Sequence, residues 1–273
     1  YARLSRRIGV AVVTAGPGVT DAVTGIANAK QAESPVLLIG GAAPQALRTK
    51  GALQETEQVA IFRPITKLSE RVERVEHLAG HLATAFRAMT TGRPGPAFLE
   101  IPWDVLSERI DLERAPLPRR YRPTCARLAD PRSVEALVSL LRGSERPVIL
   151  AGSAVHWDRA WEETIAFARA VDAPLFFNGM ARSCFDPSDP HVFARCRREA
   201  LLECDALLLL GAPLDFRLGY GASTTIAENA KLAVLDVDGL EIGKNRSVDI
   251  PLVVDAKSVM SQATDQALRC AGV

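Results

Sequence analysis

Gly9-Val-Ala-Val-Val-Thr-Ala-Gly-Pro-Gly-Val-Thr-Asp-Ala-Val-Thr-Gly-Ile-Ala-Asn-Ala-Lys-Gln-Ala32 carries the pattern on which the reading of the chain rests. Gly9–Thr14 reads as a buried strand, Ala15-Gly-Pro-Gly18 breaks it, and Val19–Ala32 reads as an alanine-rich helix. The cycle then repeats. Pro35-Val-Leu-Leu-Ile39 is a second strand, closed by Gly40-Gly41. Val72–Met89 carries Val75, Leu78, Leu82, Ala85, Phe86 and Met89 at helical spacing, and Ala97–Ile101 is again a strand. Strands alternating with helices of this length predict a parallel sheet with helices on both faces.

From Ser107 the texture changes to Arg and Pro, with Pro116, Pro118 and Pro123 and no clean period, which predicts a surface linker. Asp130-Pro131, an N-cap followed by proline at the first helical position, opens a second α/β unit. Its helix turns Val134, Leu137, Val138 and Leu141 inward and stops at Gly143. Strands follow at Val148–Leu150, Leu175–Phe177, Ala206–Leu210, Leu232–Val237 and Leu252–Val254, with helices around Trp157–Val171 and Ala194–Glu203. The expectation is an α/β chain of two three-layer, parallel-sheet domains, 1–106 and 130–273, joined by a linker over 107–129.

The 273 residues are 48% hydrophobic, enough for two cores, and 33 basic against 32 acidic residues leave a net charge of +1. That balance argues against nucleic acid or an anionic membrane surface as a partner. Apolar runs such as Ala206–Leu210 are far short of the roughly 18 residues of a spanning helix, so no membrane span is expected. Cys125, Cys184, Cys196, Cys204 and Cys270 are odd in number and irregular in spacing, which reads as free thiols in a reducing cytoplasm. No metal site is expected. His77 and His81 lie four apart but lack the Glu of H-E-x-x-H.

In open parallel sheets ligands bind where strands end, which selects the glycine-bearing exits. Gly16-Pro17-Gly18 can bring bare backbone up to a flat ring or a phosphate, although it is neither G-x-G-x-x-G nor a P-loop, and a ligand-free tight turn has the same spacing. Gly152 and Gly211 end strands of the second unit in the same way. Asp236 stands where a carboxylate accepts from a ribose hydroxyl, or where a turn aspartate caps its own loop. Arg217, in Asp215-Phe-Arg217, is placed to pair with a diphosphate or with a neighbouring carboxylate. Arg195, Arg197 and Arg198 read as a solvated helix face.

The wording of these segments goes further than their spacing. Val12-Val-Thr-Ala-Gly-Pro-Gly-Val-Thr-Asp-Ala-Val-Thr-Gly-Ile-Ala-Asn-Ala29 and Ser34-Pro-Val-Leu-Leu-Ile-Gly-Gly41 resemble the pyrimidine-binding domain of thiamine-diphosphate enzymes, in the acetolactate synthase, benzaldehyde lyase and 2-hydroxyacyl-CoA lyase group. Gly51-Ala-Leu-Gln-Glu-Thr-Glu-Gln58, Pro64-Ile-Thr-Lys67 and Arg93-Pro-Gly-Pro-Ala-Phe-Leu-Glu-Ile-Pro-Trp-Asp-Val-Leu106 continue the likeness in order. Arg146–Gly152, Gly179–Arg182, Cys204–Gly211 and Asp236–Asn245 resemble the Rossmann-like central domain of the same family.

The resemblance implies thiamine diphosphate with Mg²⁺, whose thiazolium attacks a carbonyl and stores the electron pair of the broken bond. It places Pro17 and Gly18 against the aminopyrimidine, Asn28 in support of that pocket, and Gln54 facing the reacting substrate as the catalytic side chain. In the central domain it leaves FAD, ADP or no ligand open, with Gly152, Arg217 and Asp236 as the nucleotide contacts. It implies a 2-oxo acid or a 2-hydroxyacyl-CoA as small-molecule substrate, and a homodimer or homotetramer.

Two departures matter. The family's activating glutamate lies on a helix before a segment whose tail Tyr1-Ala-Arg3 resembles, and no Gly-Asp-Gly…Asn motif for Mg²⁺ and diphosphate occurs. Asp21 also stands where the family often has Asn. The expectation is a chain holding most of a pyrimidine domain and a whole central domain, with the metal site in a third domain, inactive alone. The competing expectation is an inert nucleotide-binding or interaction module built from the same domains.

Overall fold

Leu37 and Leu38 are neighbours on one strand and face opposite sides of a parallel sheet, as the two-residue period of a strand requires. In the computed structural model, which describes residues 1–116, 118–121 and 126–271, the chain divides into two units, Tyr1–Thr124 and Cys125–Val273. The division falls within the Arg/Pro-rich stretch. Pro123 and Cys125 lie outside the described residues.

The first unit runs α1 (Ala2–Ser5), β1 (Gly9–Val13), α2 (Pro17–Asp21), α3 (Val23–Gln31), β2 (Val36–Ala42), α4 (Gln58–Phe62), β3 (Leu68–Arg71), α5 (Leu78–Thr90), β4 (Ala97–Pro102) and α6 (Trp103–Ser107). The sheet order is β1-β2-β4-β3, with every pair parallel. Leu38 and Phe98 face Val19, Ile26 and Phe62 on one side, where the Phe62 and Phe98 rings stack at 4.5 Å. Leu37, Ala97 and Leu99 face Ala85 and Met89 of α5 on the other.

Several sequence expectations are corrected here. β1 is not a buried strand. It lies at the sheet edge, and Val10 and Val12 are 58% and 72% exposed because α5 packs mainly on β2, β3 and β4. The stretch read as one helix over Val19–Ala32 is two, starting at Pro17 and dividing at Ala22. The stretch from Val72 begins with a loop and a 3-10 turn, and its α-helix starts at Leu78. β3 and α4 lack a legible period because each is a single short run, and their burial comes from neighbours.

The second unit runs α7 (Pro131–Arg142), β5 (Pro147–Ala151), α8 (Ser153–Trp157), α9 (Trp161–Ala170), β6 (Leu175–Phe177), α10 (Arg197–Glu203), β7 (Ala206–Leu210), β8 (Lys231–Asp236), β9 (Ile250–Val253) and α11 (Ala256–Cys270). Its sheet order is β6-β5-β7-β8-β9, all parallel. α7, α9 and α11 bury Leu137, Phe167 and Met260 against Ile149, Leu208 and Leu235. α10 and the loop after β7 bury Leu201, Leu214 and Leu218 against the opposite set, Leu150, Leu207 and Leu209. The Asp130 carboxylate accepts from Arg132 N–H at 2.8 Å and caps α7, with Pro131 at its first position. No helix among the described residues is long and apolar enough to cross a membrane.

Candidate functional site

The β1 exit is shaped by one buried amide. Gly16 has φ +60° and ψ −112°, a backbone that disfavours a side chain, and a Cβ there would lie 2.7 Å from the carbonyl oxygen of Gln54. Its N–H donates to Gln58 Oε1 at 2.8 Å. Gln58 Nε2 donates in turn to Gly41 O at 3.0 Å and to Glu100 Oε2 at 2.6 Å, and Arg71 Nε sits 3.1 Å from Glu100 Oε1. Gln58 and Glu100 are 2% and 4% exposed, so this is a buried network whose charge is paired. Above it Pro17 is exposed and Gly18 half-buried. The Gly16 and Pro17 carbonyls are taken by α2, through Val19 N–H, Thr20 N–H and Thr20 Oγ1.

Gln54 sits beside the turn with its backbone against Gly16, left-handed at φ +62°, and its side chain exposed. Glu55 fastens the loop that carries it, accepting from Thr49 N–H at 2.6 Å and Ala52 N–H at 3.2 Å. The Thr49 N–H, more than any other group, holds the Glu55 carboxyl below the usual glutamate range. Gln54, Gln58, Arg63, Arg71 and Glu100 line a cavity of about 210 Å³. Gln54 is therefore brought against Gly16, the residue before Pro17, while Pro17 and Gly18 do not line that cavity. Asn28 lies on the exposed side of α3. Gln58, Glu100 and Arg71 escaped the sequence reading, although Glu100 is the single charge inside the apolar run Ala97–Ile101.

In the second unit the chain leaves β5 for β6 on one side and then crosses to β7 on the other. The β5 and β7 exits thus flank a switch in winding, where open α/β sheets bind ligands. Gly152 is buried there, and a Cβ on it would lie 2.0 Å from Gly211 O, so its bareness serves the close approach of the two exits. Arg217 grips Asp215, with Nη2 2.6 Å from Oδ2, and with Arg197, Arg198, Thr224 and Thr225 lines a cavity of about 200 Å³. Asp236 is buried and accepts from Asp238 N–H at 2.9 Å, the turn-capping arrangement. Asp158 lies nearby and accepts from Ala256 N–H at the start of α11. Burial first, then the Asp255 and Asp236 charges, push its carboxyl up to about 6.

Of the described cysteines Cys204 is buried, Cys184 half-buried and Cys196 and Cys270 exposed, while Cys125 lies outside the described residues. His81 is half-buried with Nδ1 2.8 Å from Glu70 Oε2, and His77 is exposed.

Residues 1–61 match the family model described as the N-terminal TPP binding domain of thiamine pyrophosphate enzymes, and residues 134–263 match that of the central domain. The chain belongs to the thiamine pyrophosphate enzyme family. Its relatives in that family include a probable acetolactate synthase large subunit of Methanocaldococcus jannaschii, 36% identical over 95% of this chain and 46% of the relative. Another is the probable acetolactate synthase large subunit of Methanococcus aeolicus, 32% identical over 97% of this chain and 46% of the relative. The 2-hydroxyacyl-CoA lyase 2 of Caenorhabditis elegans is 33% identical over 97% of this chain and 47% of the relative. The chain spans about half the length of these curated relatives. The matched N-terminal thiamine pyrophosphate domain ends three residues beyond Gln58, so the turn and its amide both fall within it.

The residues at the β1 exit fit a thiamine pyrophosphate pyrimidine. Gly16 and Gly18 keep side chains away from the turn, and an exposed proline offers a flat apolar edge. A carboxamide stands beside it in Gln54, on a loop fastened at both ends.

Proposed function

We propose that the two units serve a thiamine-diphosphate-dependent C–C bond lyase or carboligase, acetolactate synthase-like and acting on 2-oxo acids. The observation that carries this reading is the Gly16-Pro17-Gly18 turn, fixed at the strand exit of a matched thiamine pyrophosphate domain, with Gln54 beside it. When bound, the coenzyme supplies the nucleophilic carbon that attacks the carbonyl. Pro17 and Gly18 would seat its pyrimidine, Gln54 would donate to the substrate oxygen, and Gln58 would hold the turn still. A 2-hydroxyacyl-CoA is the alternative substrate class, supported by relatives bearing that lyase name.

Mg²⁺ belongs to the diphosphate end of the coenzyme, and no Gly-Asp-Gly…Asn motif for it occurs in this chain. The chain by itself therefore gives no turnover of 2-oxo acids with thiamine diphosphate and Mg²⁺, and binds the pyrimidine half of the coenzyme weakly. Carboligation or decarboxylation above background by the isolated chain would overturn that reading. Calorimetry with thiamine diphosphate and with its free pyrimidine alcohol measures the binding directly.

The central unit is proposed to take a nucleotide such as ADP or FAD, supported by the three guanidinium groups of Arg197, Arg198 and Arg217 around one cavity. Heat with ADP or FAD supports it, and no heat with either makes this unit structural. The whole assembly is proposed to be a cytoplasmic homodimer or homotetramer, which sedimentation would check.

A further inference from the structure

The polar chain beneath the turn crosses the sheet in strand order. Gly16 follows β1, Gly41 is in β2, Glu100 in β4 and Arg71 ends β3, and the order in the sheet is β1-β2-β4-β3. One side chain, Gln58 at the start of α4, touches the first three, and Glu100 passes the connection to Arg71. We propose that Gln58 is the positioning residue of the pyrimidine turn, and that the Glu100–Arg71 pair holds the Gln58 amide in the one orientation that serves it. The inference rests on the reading of that turn as the coenzyme's seat.

The orientation follows from the partners. Oε1 faces a donor, the Gly16 N–H, whereas Nε2 faces two acceptors, the Gly41 carbonyl and the Glu100 carboxylate. Turning the amide over would set oxygen against oxygen twice and leave the Gly16 N–H against an NH₂. Gln58, Glu100 and Gly16 are buried, so a miss there is not rescued by solvent. The Gly16 N–H needs this anchor because φ +60° with ψ −112° lies outside the ordinary helical and extended regions. The Gly16 carbonyl is held by Val19 and Thr20 N–H, and Gln54 lies against the residue on the other side. Loss of the amide frees the turn to relax toward a different exit from β1, and Pro17 and Gly18 move with it.

The charge pair adds specificity of a second kind. The Glu100 carboxyl accepts from Nε2 at 2.6 Å, and the Arg71 guanidinium 3.1 Å from its other oxygen holds it in place. Glutamate in place of Gln58 would meet Glu100 as a like charge and lose both donated bonds, whereas exchanging the two side-chain types restores a donor to an acceptor.

The test uses the 273-residue chain and two readouts, hydrogen exchange at the Gly16 amide by NMR and calorimetric binding of the free pyrimidine alcohol of thiamine. In Gln58→Met, Gly16 exchange is expected to accelerate about ten- to hundredfold and pyrimidine affinity to fall about tenfold, at a temperature where both units remain folded. Gln58→Glu should do the same, and adding Glu100→Gln to it should recover part of both. A purely space-filling role for Gln58 would leave the swap no better than Gln58→Glu, and that result overturns the proposal. So does Gly16 exchange in Gln58→Met within twofold of the parent. Should Gln58→Met not fold, the Gln58→Glu and swap pair decides alone. A parent chain that binds no pyrimidine alcohol overturns the coenzyme reading of the turn, and the exchange results still judge the tether.

Discussion

Glu100 Oε2 lies 2.6 Å from Gln58 Nε2, a buried carboxylate and a buried carboxamide joined under the β1 exit. Each would be costly alone. The Gly16 N–H and Gly41 carbonyl hydrogen-bond to Gln58, and Arg71 pairs with Glu100 by charge although its Nε makes no well-formed hydrogen bond, so removing a member exposes the rest to the cost of an unmet polar group. Glu100→Ala should lower the stability of the first unit by about 2–4 kcal/mol, since Arg71 loses its ion-pair partner and Gln58 Nε2 one of its two acceptors. Glu100→Gln, which can still accept from Gln58, should cost about half as much. Urea unfolding followed in the first unit measures both.

Gly16→Ala tests the turn itself. Its Cβ would fall 2.7 Å from Gln54 O, and the backbone there is left-handed, so the change should destabilise by about 2–3 kcal/mol. Because the obstructing atom is backbone, the Gln54 loop must shift, and altered NMR shifts from Gln54 to Thr56 would register it. A variant as stable as the parent would mean that the turn adapts freely.

Asp158 sets a pH dependence in the second unit. Its folded pKa of about 6 stands above the ordinary 3.8, so between those values the folded state holds the extra proton. Stability from this group therefore rises as pH falls through 6 and is complete below about 4, with a span on the order of 2 kcal/mol after allowance for its partial exposure. Asp158→Asn keeps an acceptor for Ala256 N–H and removes the charge. It should stabilise the chain at pH 8 and do so clearly less at pH 4.5, as read from thermal unfolding at the two pH values.

Glu55 behaves in the opposite sense. The Thr49 N–H holds its folded pKa below the usual value, so the fastening of the loop is present through the ordinary glutamate range and is lost as pH falls below it. Glu55→Gln should loosen the loop at neutral pH. The expected sign is faster amide exchange at Thr49 and Ala52 with little change in global stability, and unchanged exchange would remove Glu55 as the fastener.

Period and punctuation alone determined much of this molecule. The strands Leu175–Phe177 and Ala206–Leu210 are as read, because runs of that composition flanked by Pro or Asp have few alternatives. The Asp130-Pro131 start of α7 followed from capping chemistry, which acts within one turn of chain. The glycines of the β1 exit were legible for the same local reason. What escaped was every property that depends on a distant neighbour. Val10 and Val12 look like core residues, and only the position of β1 at the sheet edge exposes them. Gly152 looks like a ligand cradle, and only the arrival of Gly211 shows what fills its space. Gln58 and Glu100 are 42 residues apart in sequence, and the packing of α4 on β3 and β4 brings their polar atoms within 2.6 Å. Local backbone preference chose the elements, whereas burial and hydrogen-bond partnership belong to the sheet, whose neighbours are set by strand order rather than by chain order.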